Sequence, residues 1–184
     1  MLVLVDQDAV VADFDGGFEL IWRERYPDRP FVEPAARRSF YIRDDYPAEY
    51  GDEIRAIHTA EGFISGLAPV QGALDALRAM LVVGHDVRIC TSPLSAFRFC
   101  VTEKFQWVHD HLGADWVNRL IITKDKTLVR GDVLIDDKPE VTGALVPLWE
   151  HLVFEAPYNV GAPGRHINWG NWRGVLAEVE HGLC

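Results

Sequence analysis

The sequence predicts an α/β fold: a parallel sheet with helices on both faces and a small, mainly helical cap inserted after the first strand. Three observations predict it. Short apolar runs that end in polar residues alternate with helix-period segments along most of the chain, the pattern of strands buried on both faces and joined by crossover helices. The gap between the first two such runs is too long for one crossover and holds aromatics, proline and charge, which marks an insertion at the strand edge. The 184 residues, 48% hydrophobic and 25% charged, suit one globular domain carrying such an insertion.

LVLVDQD (2–8) is the first strand. Residues 16–66 then form the cap, with helical patterns around 17–25 and 48–60 and with Gly16 and Gly17 as its hinge. Residues 1–15 and 67–184 make the core. In the core, QGALDALRAMLVVG (71–84) and EKFQWVHDHLG (103–113) repeat apolar residues at helical spacing. VRICTSP (87–93), RLIITKDK (119–126), DVLIDDKP (132–139) and HLVFEAP (151–157) read as the remaining strands. WGNWRGVLAEVEHG (169–182) closes the chain as a helix docked through Trp169 and Trp172. Ligands of such sheets bind outside the carboxyl ends of the strands, which here are the polar ends of these runs.

Composition excludes several classes. A net charge of −10, a pI near 5.1 and the lack of any Lys/Arg run argue against a nucleic-acid polymer as partner. No apolar stretch approaches the ~20 residues of a membrane span. The start, MLVLVDQDAV, has neither basic leader nor cleavage site, and Cys90, Cys100 and Cys184 are odd in number and widely spaced. A cytoplasmic protein with reduced cysteines is expected. An EF-hand fails because Val10 and Val11 stand where a ligand and a glycine are needed. The HDH at 109–111 reads as surface, since helical residues two apart point about 200° apart.

The first strand ends in Asp6, Asp8, Asp13 and Asp15. Clustered carboxylates repel and are costly to bury without a compensating cation or donor. Asp13 and Asp15 read as a turn or helix cap. The other strand ends bring Thr91 and Ser92, Lys126, and Asp136 and Asp137 to the same edge. Asp6 and Asp136 offer hard oxygen ligands for Mg²⁺. Thr91 and Ser92 offer donors to a phosphate, and Lys126 a point charge.

In family order, DQDAVVADFDGGF, RRSFYI, ICTSP, ITKDKT, LIDDKPEVTG and WEHLVF resemble the haloacid dehalogenase superfamily of aspartate-nucleophile phosphatases. Within it the chain is most similar to the 5′(3′)-deoxyribonucleotidases of the cytosolic and mitochondrial pyrimidine type. The resemblance implies a Rossmann-like sheet and a Mg²⁺-dependent phosphomonoesterase acting on deoxypyrimidine nucleoside monophosphates such as dUMP and dTMP. It implies Asp6 as the nucleophile that forms an aspartyl phosphate, and Asp8 as the acid and then the base. It places Mg²⁺ between Asp6, the backbone carbonyl of Asp8 and Asp136, with Asp137 positioning the metal shell. Phe14, Phe40, Tyr41 and Ile42 would form the nucleobase pocket, and Phe63 and Leu94 an apolar wall by the sugar. Three positions depart from the family pattern: Ala9 for glycine, Tyr41 for tryptophan and Ser95 for lysine. The partner implied is a small nucleotide, with no membrane, and a homodimer is left open.

Three rival classes share parts of this pattern. A phosphatase of the same superfamily acting on a sugar phosphate or other metabolite has the same catalytic residues, so only the cap separates it. A receiver-type module also gathers acids, Thr/Ser and Lys, but its acceptor ends a middle strand, which here ends in Cys90-Thr91-Ser92. A non-catalytic phosphate-binding protein is opposed by the full set of aspartates and the lysine.

Overall fold

The computed structural model describes residues 1–183, so the expectation for Cys184 lies outside the described residues. The elements run β1 (Leu2–Val5), α1 (Phe14–Arg25), α2 (Gly51–His58), α3 (Ala73–Val82), β2 (Asp86–Thr91), α4 (Cys100–Leu112), α5 (Ala114–Val117), β3 (Leu120–Ile122), β4 (Val133–Asp136), β5 (Glu150–Phe154), β6 (Arg165–Ile167) and α6 (Trp172–Leu183). The strands form one sheet in the order β3-β2-β1-β4-β5-β6, and all pairings are parallel. The order reverses between β1 and β4. That switch point opens a crevice at the carboxyl ends of these two strands.

β-Branched and leucine side chains alternate across the sheet. Val3, Val5, Val87, Ile89, Val133 and Ile135 enter one large core with the helices. Leu4, Cys90 and Leu134 turn to the other face and meet Trp149, with Val129 and Val141 packed against them. The strands stop short of the expected runs because their polar tails leave the ladder: Asp6 donates its N–H to Ile135 and the chain then turns. β6 escapes a sequence reading because RHI is three residues between Gly164 and Asn168, too short for any period to show.

Ahead of α3, the long connection from β1 to β2 holds α1, α2 and three short 3₁₀ turns, Pro34–Ala36, Ile42–Asp45 and Ala48–Tyr50. Prolines at 27, 30, 34 and 47 deny this stretch a continuous helix. Its rings Phe18, Trp22 and Tyr46 pack on one another and, with the fully buried Ile54 and Ile57 of α2, join the same large core as the sheet.

The expected hinge is a correction. Gly16 and Gly17 lie inside the first turn of α1, whose N-cap Asp13 accepts from the Gly16 N–H at 2.9 Å. A Cβ on Gly16 would fall 2.3 Å from the Asp13 carboxylate, and one on Gly17 2.3 Å from a Leu67 methyl. Close approach, and not freedom of movement, is what glycine supplies here. No helix among the described residues is long and apolar enough to cross a membrane.

Candidate active site

The carboxyl ends of β1 and β4 put Asp6 beside Asp136 and Asp137, with carboxylate oxygens of all three within 4.8 Å of one another. Lys126 reaches this group from the 3₁₀ turn Lys126–Leu128. Its ammonium lies 2.8 Å from Asp6 Oδ1 and donates to Asp136 Oδ2 at 2.5 Å. Burial works against the charge on Lys126, yet Asp6 and Asp136 outweigh it and hold the ammonium above its ordinary pKa. Burial raises the carboxyls of Asp136 and Asp137, and the neighbouring carboxylates push the same way.

Counted as fully ionised, three carboxylates and one lysine carry an excess of two negative charges, which the raised pKa values of Asp136 and Asp137 resist. Oδ1 of Asp6 is buried and receives no hydrogen bond of good geometry despite its nearness to Lys126. The donors are all hard oxygens. This set fits a divalent cation of the Mg²⁺ kind. The side chain of Asp8 does not join it.

Asp8 belongs instead to Lys104, which sequence reasoning missed. Lys104 is wholly buried on α4, 2.8 Å from Asp8 Oδ2, and donates to the Thr91 hydroxyl at 2.9 Å. Burial raises the Asp8 pKa, Lys104 opposes the rise and Asp6 adds to it. Two adjacent aspartates thus sit in different fields, one compensated by the shared lysine and one by a private one. Beside Lys104, the Glu103 carboxylate accepts the N–H groups of Gly62, Ile64 and Ser65 at 2.7, 2.9 and 3.3 Å. The α4 helix therefore braces both Asp8 and the chain's return from the insertion.

From Gln7 to Ala12, around Asp8, the backbone is tightly turned. Gln7 O accepts from both Val11 and Ala12. Ala9 follows at φ 60°, a left-handed conformation that costs a Cβ-bearing residue about 1–2 kcal/mol. Glycine's usefulness at this position is thereby explained.

A cavity of about 390 Å³ opens over these groups and is lined by Asp6, Asp8, Lys126, Asp136, Asp137 and Ser92. Its other wall carries Phe14, Phe40, Tyr41, Ile42 and Leu94. Two expected residues stand behind the lining. Thr91 is buried and its hydroxyl serves Lys104. Phe63 packs edge-on against Phe14 at 5.1 Å.

The wall also holds residues to which the sequence reading gave no role. Arg37, nearly buried, pairs with Asp15 and with Asp45, and donates to the main-chain oxygens of Ser39 and Phe40 at 2.7 and 2.8 Å. It thereby fixes the segment that presents Phe40 and Tyr41. Burial raises Asp15 against the pull of Arg37. His58 lies 5.1 Å from Phe14; its Nε2 is buried with no hydrogen-bond partner. Burial, helped by Arg37, lowers its pKa to about 4, so the ring is neutral. Tyr158 donates its hydroxyl to Asp137 Oδ2. Cys90 is no nucleophile, since burial pushes its thiol up to about 12.

Comparison with known proteins finds relatives along nearly the whole chain. The family of 5′ nucleotidases described as deoxy (Pyrimidine), cytosolic type C, matches residues 1–178. A Bordetella pertussis protein carrying the provisional name 5′(3′)-deoxyribonucleotidase is 53% identical over 181 residues, 96% of each chain. The human 5′(3′)-deoxyribonucleotidase of cytosolic type is 44% identical over 185 residues, 95% of this chain and 92% of its own. In fold, the chain is similar to a HAD family hydrolase from Deinococcus radiodurans, with TM-score 0.59, 16% identity, and coverage of 97% and 96%.

Proposed function

Since the chain belongs to the 5′ nucleotidase, deoxy (Pyrimidine), cytosolic type C family, we propose that it hydrolyses deoxypyrimidine nucleoside monophosphates such as dUMP and dTMP. The observation that carries this reading is one shared cavity: phosphoryl-transfer groups on its floor and stacking rings on its wall. A sugar phosphatase would need the floor but not the rings.

Asp6 attacks phosphorus in line, the bond to the leaving ribose oxygen breaks, and an aspartyl phosphate forms. Asp8 gives its proton to that oxygen. It then takes one from the water that attacks the phosphoaspartate, releasing phosphate and restoring Asp6. A raised pKa suits this double duty, and burial supplies it. Lys126 offsets negative charge on the phosphoryl oxygens and on Asp6, and Ser92 lines the same cavity as a donor. The residues that would hold Mg²⁺ are Asp6, Asp136 and the main-chain carbonyl of Asp8, with Asp137 ordering its shell. Bound there, the ion supplies Lewis-acid stabilisation of the phosphoryl charge.

On the wall, Phe14, Phe40 and Tyr41 provide stacking surface worth roughly 1–3 kcal/mol per base. Leu94 on the cavity wall, like Phe63 behind Phe14, offers no partner for a 2′-hydroxyl, which favours the deoxy sugar by a modest margin. A phosphate-release panel of nucleoside monophosphates and sugar phosphates with Mg²⁺ tests the reading. Deoxyuridine and thymidine monophosphates should exceed deoxyadenosine monophosphate and ribonucleotides. Tyr41→Ala should raise KM for nucleotides far more than for p-nitrophenyl phosphate. A preference for sugar phosphates, or equal losses on both esters, overturns the nucleotidase and leaves a phosphatase.

A further inference from the structure

Tyr158 stands in a 3₁₀ turn, Pro157–Asn159, that follows β5. The turn is clamped in place by its last residue. Asn159, almost fully buried, donates from Nδ2 to the main-chain oxygens of Asp137 at 2.7 Å and Phe154 at 2.8 Å. Its Oδ1 accepts from the Ala156 N–H at 2.9 Å. One short turn therefore holds Asp137 twice, by the backbone through Asn159 and by the carboxylate through the Tyr158 hydroxyl.

The other side of the Tyr158 ring faces the insertion. The Arg37 guanidinium carbon lies 4.6 Å from the ring centroid. The Phe40 ring meets it edge-on at 6.0 Å and 79°. Arg37 in turn holds the carbonyl of Phe40. The same side chain thus touches a carboxylate of the floor and the support of the aromatic wall.

We infer that Tyr158 is a positioning residue with two separable parts: its hydroxyl orients Asp137 for a divalent cation, and its ring seats Arg37 and Phe40 against the nucleobase. A carboxylate with one oxygen held has one orientation to offer, and removing such an outer partner commonly weakens metal binding 10–100-fold. A guanidinium over an aromatic face is held by the ring's charge distribution, so a ring is needed there and a hydroxyl is not. The second part rests on the nucleotidase reading; the first does not.

Both parts are measured at equilibrium. Mn²⁺ alone is titrated into metal-free wild type, Tyr158→Phe and Tyr158→Leu, with free Mn²⁺ read by electron paramagnetic resonance. Calorimetry on the same metal-free proteins compares thymidine monophosphate with inorganic phosphate. Tyr158→Phe should bind Mn²⁺ at least about 10-fold more weakly while keeping the wild-type preference for nucleotide over phosphate. Tyr158→Leu should lose metal affinity equally and lower that preference several-fold. Arg37→Lys, which keeps the charge but not the planar stack, should lower the preference alone and serves if the leucine variant does not fold. Mn²⁺ binding by Tyr158→Phe within twofold of wild type overturns the hydroxyl's part. An unchanged preference in Tyr158→Leu, or in Arg37→Lys where that variant stands in, overturns the ring's part. Wild-type turnover with Mg²⁺ is read separately, so a failure of the phosphatase reading shows there and not in these titrations.

Discussion

The floor and the wall of the cavity are built on opposite principles. On the floor, each carboxylate has a side-chain neighbour: Lys126 for Asp6 and Asp136, Lys104 for Asp8, the Tyr158 hydroxyl for Asp137. Lys104, Lys126, Asp136 and Asp137 are buried there, and displacing one group leaves another without compensation. On the wall, rings touch rings at 5–6 Å, Tyr41 is 54% exposed and Phe40 is half-buried. Packing tolerates exchange of one apolar surface for another; a buried ion pair does not. The floor should therefore fail all at once when altered, and the wall by degrees.

The largest effect expected on the floor is at Asp6. Asp6→Asn should lower turnover by about 10³-fold or more, because an amide neither attacks phosphorus nor holds a cation well. Chelation should silence the wild type, and added Mg²⁺ should restore it. Circular dichroism should show an unchanged fold. Turnover above a few per cent of wild type would end the covalent mechanism and, with it, the claim that the floor is all-or-none.

Lys104 sharpens the contrast from outside the cavity lining. Lys104→Met takes the buried ammonium away from Asp8, whose side chain is 21% exposed, so the loss should not exceed the about 3–5 kcal/mol of breaking a fully buried pair. Urea unfolding of Lys104→Met, Asp8→Asn and the double variant closes a cycle. The double variant should recover most of the loss. Strict additivity would mean that Lys104 and Asp8 are neighbours without being partners.

These two residues also show what a sequence can disclose. Asp6, Lys126 and Asp136 were legible because charges at the ends of apolar strands demand a reason, and the fold itself followed from alternation of strand and helix runs. Lys104 reads like any solvated helix charge in EKFQW. Its signal is only positional: with Cys100, Glu103, Trp107 and Val108 it falls on the helix face that is buried, spaced by three and four residues. Arg37 stood in RRSFYI with no role attached, and His58 and Tyr158 had no signal at all, since their partners Asp15, Phe14 and Asp137 are 22, 44 and 21 residues away. Aromatic wall and aromatic core have the same composition, so Phe14 on the lining and Phe63 behind it could not be told apart.

On the wall, His58 gives a pH test. Its pKa falls from 6.5 to about 4 in the folded chain, while the unfolded chain takes up a proton below about 6.5. Between those values the unfolded state binds more protons, so stability is full above pH 6.5 and declines as pH falls toward 4. At pH 5 this amounts to about 2 kcal/mol. His58→Leu removes it. The stability lost between pH 7.5 and 5, read from urea midpoints, should be smaller in the variant by about that amount. An identical pH response in both proteins would mean that the ring is hydrated and not part of the apolar wall.

The smallest effect belongs to the rim. Ser95 is exposed at the cavity edge, and Lys124 beside it donates to the Pro93 carbonyl at 2.6 Å. A cation therefore already stands on this rim, within a molecule of net charge −10. A second one from Ser95→Lys would attract a phosphate dianion before and during reaction alike, through solvent that screens it. Such uniform attraction lowers KM and leaves kcat alone. A fall in KM of a few-fold, shrinking as salt is added, is the expected result. A large rise in kcat would place the new ammonium on the transferring phosphoryl group, and the rim would then belong to the floor.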